Sequence, residues 1–219
     1  SADAALAEFD VTQDWLQGRT AFGGLISALG VQTMRDLPAL AGQAETRLRA
    51  LQTSFVGPLG SGRASVEAVL LRDGKSVRQV QATVRQDGQV VAVMLAVYAK
   101  DRESSMRQVG LVRPADAHEP HTLPRRDFSA NAAPAFIRHF DMRWDHGPMP
   151  GTGGDGLSTR IHMRMVDGEG LDAVWHRRVR LFAGRCELAA VSLLEPRLLS
   201  LGADLAGDRQ RRQRIHEHL

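Results

Sequence analysis

Apolar residues change from helical spacing to alternating spacing early in the chain, and this change predicts the first domain. Apolar positions recur at helical spacing up to Pro38, so we expect a helix over residues 22–36. A short strand is expected before it, over residues 5–15. Alternating segments follow the helix at residues 46–56, 63–71, 76–85 and 89–98. One strand, one long helix and four antiparallel strands predict an α+β fold, with a curved sheet wrapped around the helix.

Two Asp-Gly pairs separate the later alternating segments. Asp73-Gly74 and Asp87-Gly88 are typical of tight hairpin turns, because both residues tolerate positive φ. Such short connections favour antiparallel neighbours and leave little freedom for another topology.

The second half of the chain has a different pattern. Prolines interrupt residues 102–126, which we interpret as part of a linker. Strand-like segments then surround a glycine-rich turn at residues 147–156, but the space after Asp172 is too short for another helix and four strands. We therefore expect an N-terminal unit (1–101), a linker (102–135), an incomplete second unit (136–200) and a basic tail (201–219). The strand-like segments of the second half are residues 136–144, 158–166, 179–182 and 187–194.

Composition narrows the classes of function. Hydrophobic residues make up 43% and charged residues 24%, as in ordinary globular proteins, and no apolar run is long enough to cross a membrane. Residues 1–10 lack a secretion signal, and the single Cys186 excludes an intramolecular disulfide, so we expect a cytoplasmic protein. The one local basic run, residues 209–214, has no aromatic residues among its arginines, so no nucleic-acid partner is expected. We interpret three polar residues of the linker, His118, Glu119 and His121, as ordinary solvent-facing side chains and not as metal ligands.

Paired glycines at the start of the predicted helix allow two interpretations. Gly23 and Gly24 would let the helix pack closely inside the sheet, where a side chain would not fit. Alternatively, their bare backbone amides could hold a carbonyl oxygen that gains negative charge during a reaction. The glycines alone favour the packing interpretation, because a glycine pair is a weak signal.

Several separated motifs together resemble the double-hotdog acyl-CoA thioesterases of the type II kind. They are Gly18-Arg-Thr-Ala-Phe-Gly-Gly-Leu, Gln52-Thr-Ser-Phe-Val-Gly-Pro-Leu, Arg72-Asp-Gly-Lys-Ser and Arg138-His-Phe-Asp-Met-Arg-Trp. The resemblance covers residues 5–172 and implies two hotdog units. It also implies hydrolysis of fatty acyl-CoA by water, with no metal or other cofactor, and it carries the Phe-Gly-Gly element onto Phe22, Gly23 and Gly24.

The chain departs from this family in its second half. Family members place a catalytic aspartate on the second helix, with threonine and glutamine on later strands, and here Leu194 stands where the glutamine would be expected. Either a segment has been lost or the reading frame changes after Asp172. No catalytic set can be assigned. Asp141, Asp167 and Asp172 are candidate carboxylates, and each also fits a turn or surface residue.

Three functions follow from these observations. The first is an acyl-CoA thioesterase with weak turnover, because no acceptor for the water proton is visible. The second is a catalytically impaired acyl-CoA-binding or scaffolding protein. A hotdog hydratase ranks last, because it needs an Asp-His pair and none occurs beside residues 18–34.

We expect the thioester at Gly23 and Gly24, beside Phe22, and the CoA portion at Arg72, Lys75 and Ser76. Lys75 would offer positive charge to phosphate, although it also fits an ordinary turn lysine. An incomplete second sheet would leave apolar side chains short of burial, so we expect a homo-oligomer. The apolar side chains in question are Ile137, Phe140, Trp144 and Ile161.

Overall fold

The computed structural model describes residues 3–103, 105, 114–126, 133–148 and 159–166, together with the backbone of residues 176–177. The predicted closing segments of the second unit, at 179–182 and 187–194, lie outside these residues, as does the basic tail.

The N-terminal unit is a five-stranded antiparallel sheet with one long helix, α1 (Gly23–Arg35). The sheet strands are β1 (Ala4–Val11), β4 (Thr46–Phe55), β5 (Gly62–Asp73), β6 (Val77–Gln86) and β7 (Gln89–Lys100). They lie in the spatial order β1-β5-β6-β7-β4, so β1 and β4 form the two edges of the described sheet. A hairpin of two short strands, β2 (Leu16–Gln17) and β3 (Thr20–Ala21), leads into the helix. The α+β hotdog prediction is confirmed.

The predicted first strand ends early. Residues 5–15 were expected to be extended, but β1 stops at Val11 and a 3-10 turn follows at Gln13–Trp15. The turn buries Trp15 and directs its backbone carbonyl to the amide of Phe22, with an N–O distance of 2.9 Å. This bend brings the chain back to the start of α1.

Both predicted hairpins form, but by different turns. Asp87 and Gly88 have φ values of 50° and 76°, as a tight hairpin turn between β6 and β7 requires. Gly74 is not in the positive-φ region. It is needed for another reason, because a Cβ there would lie 2.6 Å from the Val77 carbonyl oxygen.

Helix α1 is buried along almost its whole length, from Gly24 to Met34. The absence of a side chain at Gly30 allows this close approach, because a Cβ there would clash with Met94 Sδ and lie 3.8 Å from Ala82 Cβ. The helix therefore serves as the core of the N-terminal unit, as the sequence predicted. The inward-facing strand residues include Val66, Ala68, Val80, Ala82, Val84, Ala92, Met94, Ala96 and Tyr98.

The second unit contains an antiparallel sheet of β8 (Phe140–His146), β9 (Arg160–Met165) and the short β10 (His176–Arg177). The segment expected to be extended from residue 136 begins instead as a 3-10 helix, Ala135–His139. Its small apolar cluster consists of Met142, Ile161 and Met163. The expectation that Ile161 lacks burial is wrong, because its side chain is 2% exposed within this chain. Ile137, Phe140 and Trp144 are half-buried.

The described part of the linker is attached to the second unit. The Arg143 guanidinium donates to the carbonyls of Pro120, His121 and Leu123, and the Arg126 amide donates to the Met142 carbonyl. These contacts make residues 120–126 a cover for β8.

Candidate functional site

The helix begins with amides that have no hydrogen-bond partner among the described residues. Phe22 is the residue before α1, and its carbonyl accepts the first helical bond from the Ile26 amide. In the part of the chain that the structure describes, no oxygen accepts a hydrogen bond from the amides of Gly23, Gly24 or Leu25. Backbone N–H groups in the first turn of a helix are typical donors to anions and to developing oxyanions.

The side of the helix that faces β4 is mixed in polarity. A Cβ on Gly23 would lie 2.8 Å from the Phe55 ring, so the absence of a side chain lets this ring approach the backbone. One turn further, the hydroxyls of Ser27 and Thr53 lie 3.2 Å apart. Phe55 is 46% exposed and Val56 60% exposed, so apolar surface adjoins the glycine pair.

The structure separates the two parts of the predicted acyl-CoA site. Arg72, Lys75 and Ser76 surround the β5–β6 turn, at the end of the sheet where Thr46 pairs with Lys100. Gly23 contacts Phe55 at the opposite end of β4. From Thr46 to Phe55, β4 spans nine residue steps of about 3.3 Å each, so the two ends of this strand lie about 30 Å apart. Lys75 is exposed, and Ser76 is half-buried.

An aromatic cluster joins the start of α1 to the second unit. The ring of Phe22 stacks on Phe136 with a centroid distance of 4.1 Å and meets Phe140 edge-on at 6.1 Å. Trp15 stacks on the imidazole of His139 at 4.0 Å, with the two planes 7° apart. The residue before the glycine pair is therefore packed against the second unit.

The same junction contains an acid–base pair. Nε2 of His139 lies 2.9 Å from Oδ2 of Asp14, and the two side chains are 16% and 35% exposed. The Thr12 hydroxyl, hydrogen-bonded to Asp14, and the positive charge that His139 can carry outweigh burial and lower the pKa of Asp14. The expectation that no Asp-His pair lies beside this region is corrected here. No local pattern indicates this pair, because the two residues come from different units.

Asp141 is buried by the structure, not placed on the surface. Its carboxylate accepts hydrogen bonds from the guanidinium groups of Arg143 and Arg164. Burial alone would raise the pKa of Asp141, but these two arginines lower it below its ordinary value. A carboxylate held in this way is a weak proton acceptor, so its environment is that of a structural ion pair.

A second buried carboxylate organises the other end of β8. The Asp145 side chain is fully buried, and it contacts His118 Nδ1 at 2.7 Å, Arg160 at 3.0 Å and His162 Nε2 at 3.4 Å. Burial would raise its pKa, but hydrogen bonds from His118 and Arg160 outweigh burial and lower the pKa to about 2. The sequence did not single out Asp145 as a buried group.

The remaining candidates have separate outcomes. Asp167, Asp172 and Leu194 lie outside the described residues. Within the described ranges, no three His, Cys, Asp or Glu side chains are arranged to hold a metal ion, and His118 is engaged with Asp145. No helix in that same part of the chain has the length and apolar character needed to cross a membrane.

Comparisons with known proteins give one match to a family model. Residues 11–99 match the family model described as the acyl-CoA thioesterase N-terminal domain. A search of curated proteins gives no match.

Two solved structures of similar fold extend the likeness beyond the N-terminal unit. One is a protein of unknown function with a hotdog fold from Alicyclobacillus acidocaldarius, 24% identical, with a TM-score of 0.61 over 74% of this chain and 58% of that one. The other is a proposed thioesterase II from Thermobifida fusca, 16% identical, with a TM-score of 0.60 over 90% of this chain and 69% of that one. The chain thus spans 58% of the length of the first protein. Both likenesses show the hotdog fold, and the match to the acyl-CoA thioesterase N-terminal domain is confined to residues 11–99.

Proposed function

We propose that this protein hydrolyses acyl-CoA thioesters to a free acid and CoA, with the thioester carbonyl at Gly23 and Gly24. The observation that carries the proposal is the set of first-turn amides of α1, for which the described residues offer no acceptor. The family of residues 11–99 supports a CoA thioester as the substrate class.

The chemistry requires charge stabilisation at the carbonyl oxygen. Attack by water on the carbonyl carbon moves an electron pair onto this oxygen, and backbone amides at a helix start stabilise the resulting negative charge. The intermediate then collapses, the C–S bond breaks, and the thiol of CoA leaves. The exposed apolar surface of Phe55 and Val56 adjoins this position and offers contact to an acyl chain.

The turn with Arg72, Lys75 and Ser76 lies too far from the glycine pair for one acyl-CoA molecule to bind at both places. A molecule bound at Gly23 and at Arg72, Lys75 and Ser76 together would have to span about 30 Å of sheet. We therefore propose that the nucleotide end leaves the glycine pair in another direction. Lys75→Ala should leave the KM for acyl-CoA unchanged. A large rise in KM would show that the β5–β6 turn does bind CoA.

The test is thiol release from medium-chain and long-chain acyl-CoA by the full chain and by Gly24→Val. We expect the variant to lose at least tenfold in kcat/KM, because a branched side chain obstructs the approach of the carbonyl to the backbone. Gly57→Ala is the matched control, since a Cβ there would lie 3.6 Å from the nearest atom, the Val90 carbonyl oxygen.

Two results would contradict the proposal. Equal rates for wild type and Gly24→Val would show that the thioester carbonyl does not bind at the start of α1. Acyl-CoA binding by the wild type, measured by calorimetry, without any release of thiol would show the alternative function, an acyl-CoA-binding or scaffolding protein.

We also propose that the protein is a homo-oligomer. Among the described residues, the long strand β4 is an edge of its sheet and ends beside the exposed Phe55 and Val56, a combination that favours association. Light scattering should give a mass above 23.9 kDa over a wide concentration range. A constant monomer mass would contradict this assembly.

A further inference from the structure

The ring of His139 has two close contacts, and its backbone has a third. Its face stacks on Trp15 at 4.0 Å, and its Nε2 lies 2.9 Å from the Asp14 carboxylate. Its backbone carbonyl accepts a hydrogen bond from the Val166 amide at 2.9 Å. One face of the ring is therefore packed and Nε2 lies beside a carboxylate, and Nδ1 is the other polar atom of the ring.

Independent contacts join the segment that carries this histidine to Phe22, the residue before the glycine pair. Phe136 and Phe140, on either side of His139 in the sequence, both contact the Phe22 ring. The Trp15 carbonyl accepts the amide hydrogen of Phe22, one residue before Gly23. The imidazole and the open amides therefore belong to one junction, assembled from both units.

The neighbouring charges suit a proton acceptor. Asp14 is ionised near neutral pH, because its pKa lies below the ordinary value. An ionised carboxylate on one nitrogen of an imidazole fixes the tautomer and stabilises the imidazolium that forms when the other nitrogen takes a proton. Asp141 and Asp145, by contrast, are already bonded to arginines.

We propose that His139, oriented by Asp14, is the general base that activates water in thioester hydrolysis at Gly23 and Gly24. This inference rests on the function proposed above. Water oxygen forms a bond to the carbonyl carbon while His139 takes the water proton, and the carbonyl electron pair moves to oxygen. When the C–S bond breaks, the imidazolium returns its proton to the sulfur of the leaving CoA. No oxidant, metal or further reactant is consumed.

The test compares His139→Gln, Asp14→Asn and the control His121→Gln in the thiol-release assay with the full chain. Loss of a general base costs on the order of a hundredfold to ten-thousandfold. We expect a loss of this size in kcat for His139→Gln, with a smaller loss for Asp14→Asn and KM nearly constant in both. His121 is exposed and lies in the segment that covers β8, so its variant should keep the wild-type rate.

A pH profile separates a chemical role from a structural one. The wild-type rate should fall toward acid pH, because a protonated imidazole cannot accept the water proton, and His139→Gln should lack this acid limb. If His139→Gln does not fold, Asp14→Asn provides the same test. This variant should lower kcat and change the pH at which the rate falls toward the acid side. Binding of a thioether analogue of acyl-CoA reports whether each variant retains the site.

The possible failures are distinguishable. A wild type that releases thiol, loses the rate in Gly24→Val, and keeps it in His139→Gln and Asp14→Asn would overturn this inference and leave the proposed function standing. A wild type that releases no thiol would overturn both. Rapid hydration of an enoyl-CoA by the same pair, without hydrolysis, would also overturn it and indicate a hydratase.

Discussion

The two units of this chain use different interactions to bury their interiors. The N-terminal unit encloses α1 in an apolar core that includes Met34, Val66 and Tyr98. The described part of the second unit has a cluster of three buried apolar residues and buries the carboxylates of Asp141 and Asp145 beside it. In the described residues, the interior of the first unit is thus mainly apolar, whereas the interior of the second also contains paired charges.

This difference has a consequence for function. The open amides of α1 belong to the rigid, apolar unit, whereas His139 comes from the unit held by ion pairs. A reaction that needs both groups requires the two units to remain docked through the aromatic cluster of Trp15, Phe22, Phe136, His139 and Phe140.

The largest effect is expected from a cavity in the N-terminal core. Met34 is fully buried, and its sulfur lies 3.8 Å from the Tyr98 hydroxyl. Met34→Ala should lower the free energy of unfolding by about 2–5 kcal/mol. Urea unfolding measures this change, with Met163→Ala as the matched variant in the second unit. A larger loss for Met163→Ala would reverse the comparison, because it would make the smaller cluster the better-packed core.

A smaller, pH-dependent effect is expected from Asp145. The lowered pKa means that the folded state binds the proton less readily than the unfolded chain does. The ion pairs therefore stabilise the fold above about pH 4, and this contribution disappears as the pH falls through about 2. Asp145→Asn should cost about 2 kcal/mol at pH 7 and almost nothing at pH 2. Urea unfolding of both proteins across this range measures the difference, and a constant difference would contradict the charge network.

The smallest effect is expected from an exposed ion pair of the N-terminal unit. Arg63 lies 3.4 Å from Glu8 and from Asp10, and all three side chains are more than half exposed. Arg63→Ala should change the free energy of unfolding by less than about 1 kcal/mol, because water and salt screen such pairs. A loss as large as that of Asp145→Asn would show that charges stabilise both units equally.

The sequence predicted the N-terminal unit well for a physical reason. Local spacing controls each of its parts: apolar residues recur with the helical period in α1 and alternate along β6 and β7, and Asp87-Gly88 supplies the turn. The end of β1 could not be predicted in the same way. Residues 12–15 turn because Trp15 is buried and bonded to Phe22, which is a tertiary contact.

The candidate site was only partly predictable. The sequence indicated Gly23 and Gly24, because paired glycines before a helix are a local signal. It could not indicate that Arg72 and Lys75 lie at the far end of the sheet, because this depends on strand register. The pairing of Asp14 with His139 depends on how the two units dock, and no local pattern encodes it.

The most direct test of the central claim is a crystal structure of the full chain with a non-hydrolysable acyl-CoA analogue that keeps a carbonyl at the thioester position. The account predicts that this oxygen lies within about 3.2 Å of the Gly23 or Gly24 amide nitrogen, a hydrogen-bonding distance. His139 should lie on the side from which water attacks. A carbonyl bound elsewhere, with the first-turn amides of α1 contacting only solvent, would contradict the assignment of the site.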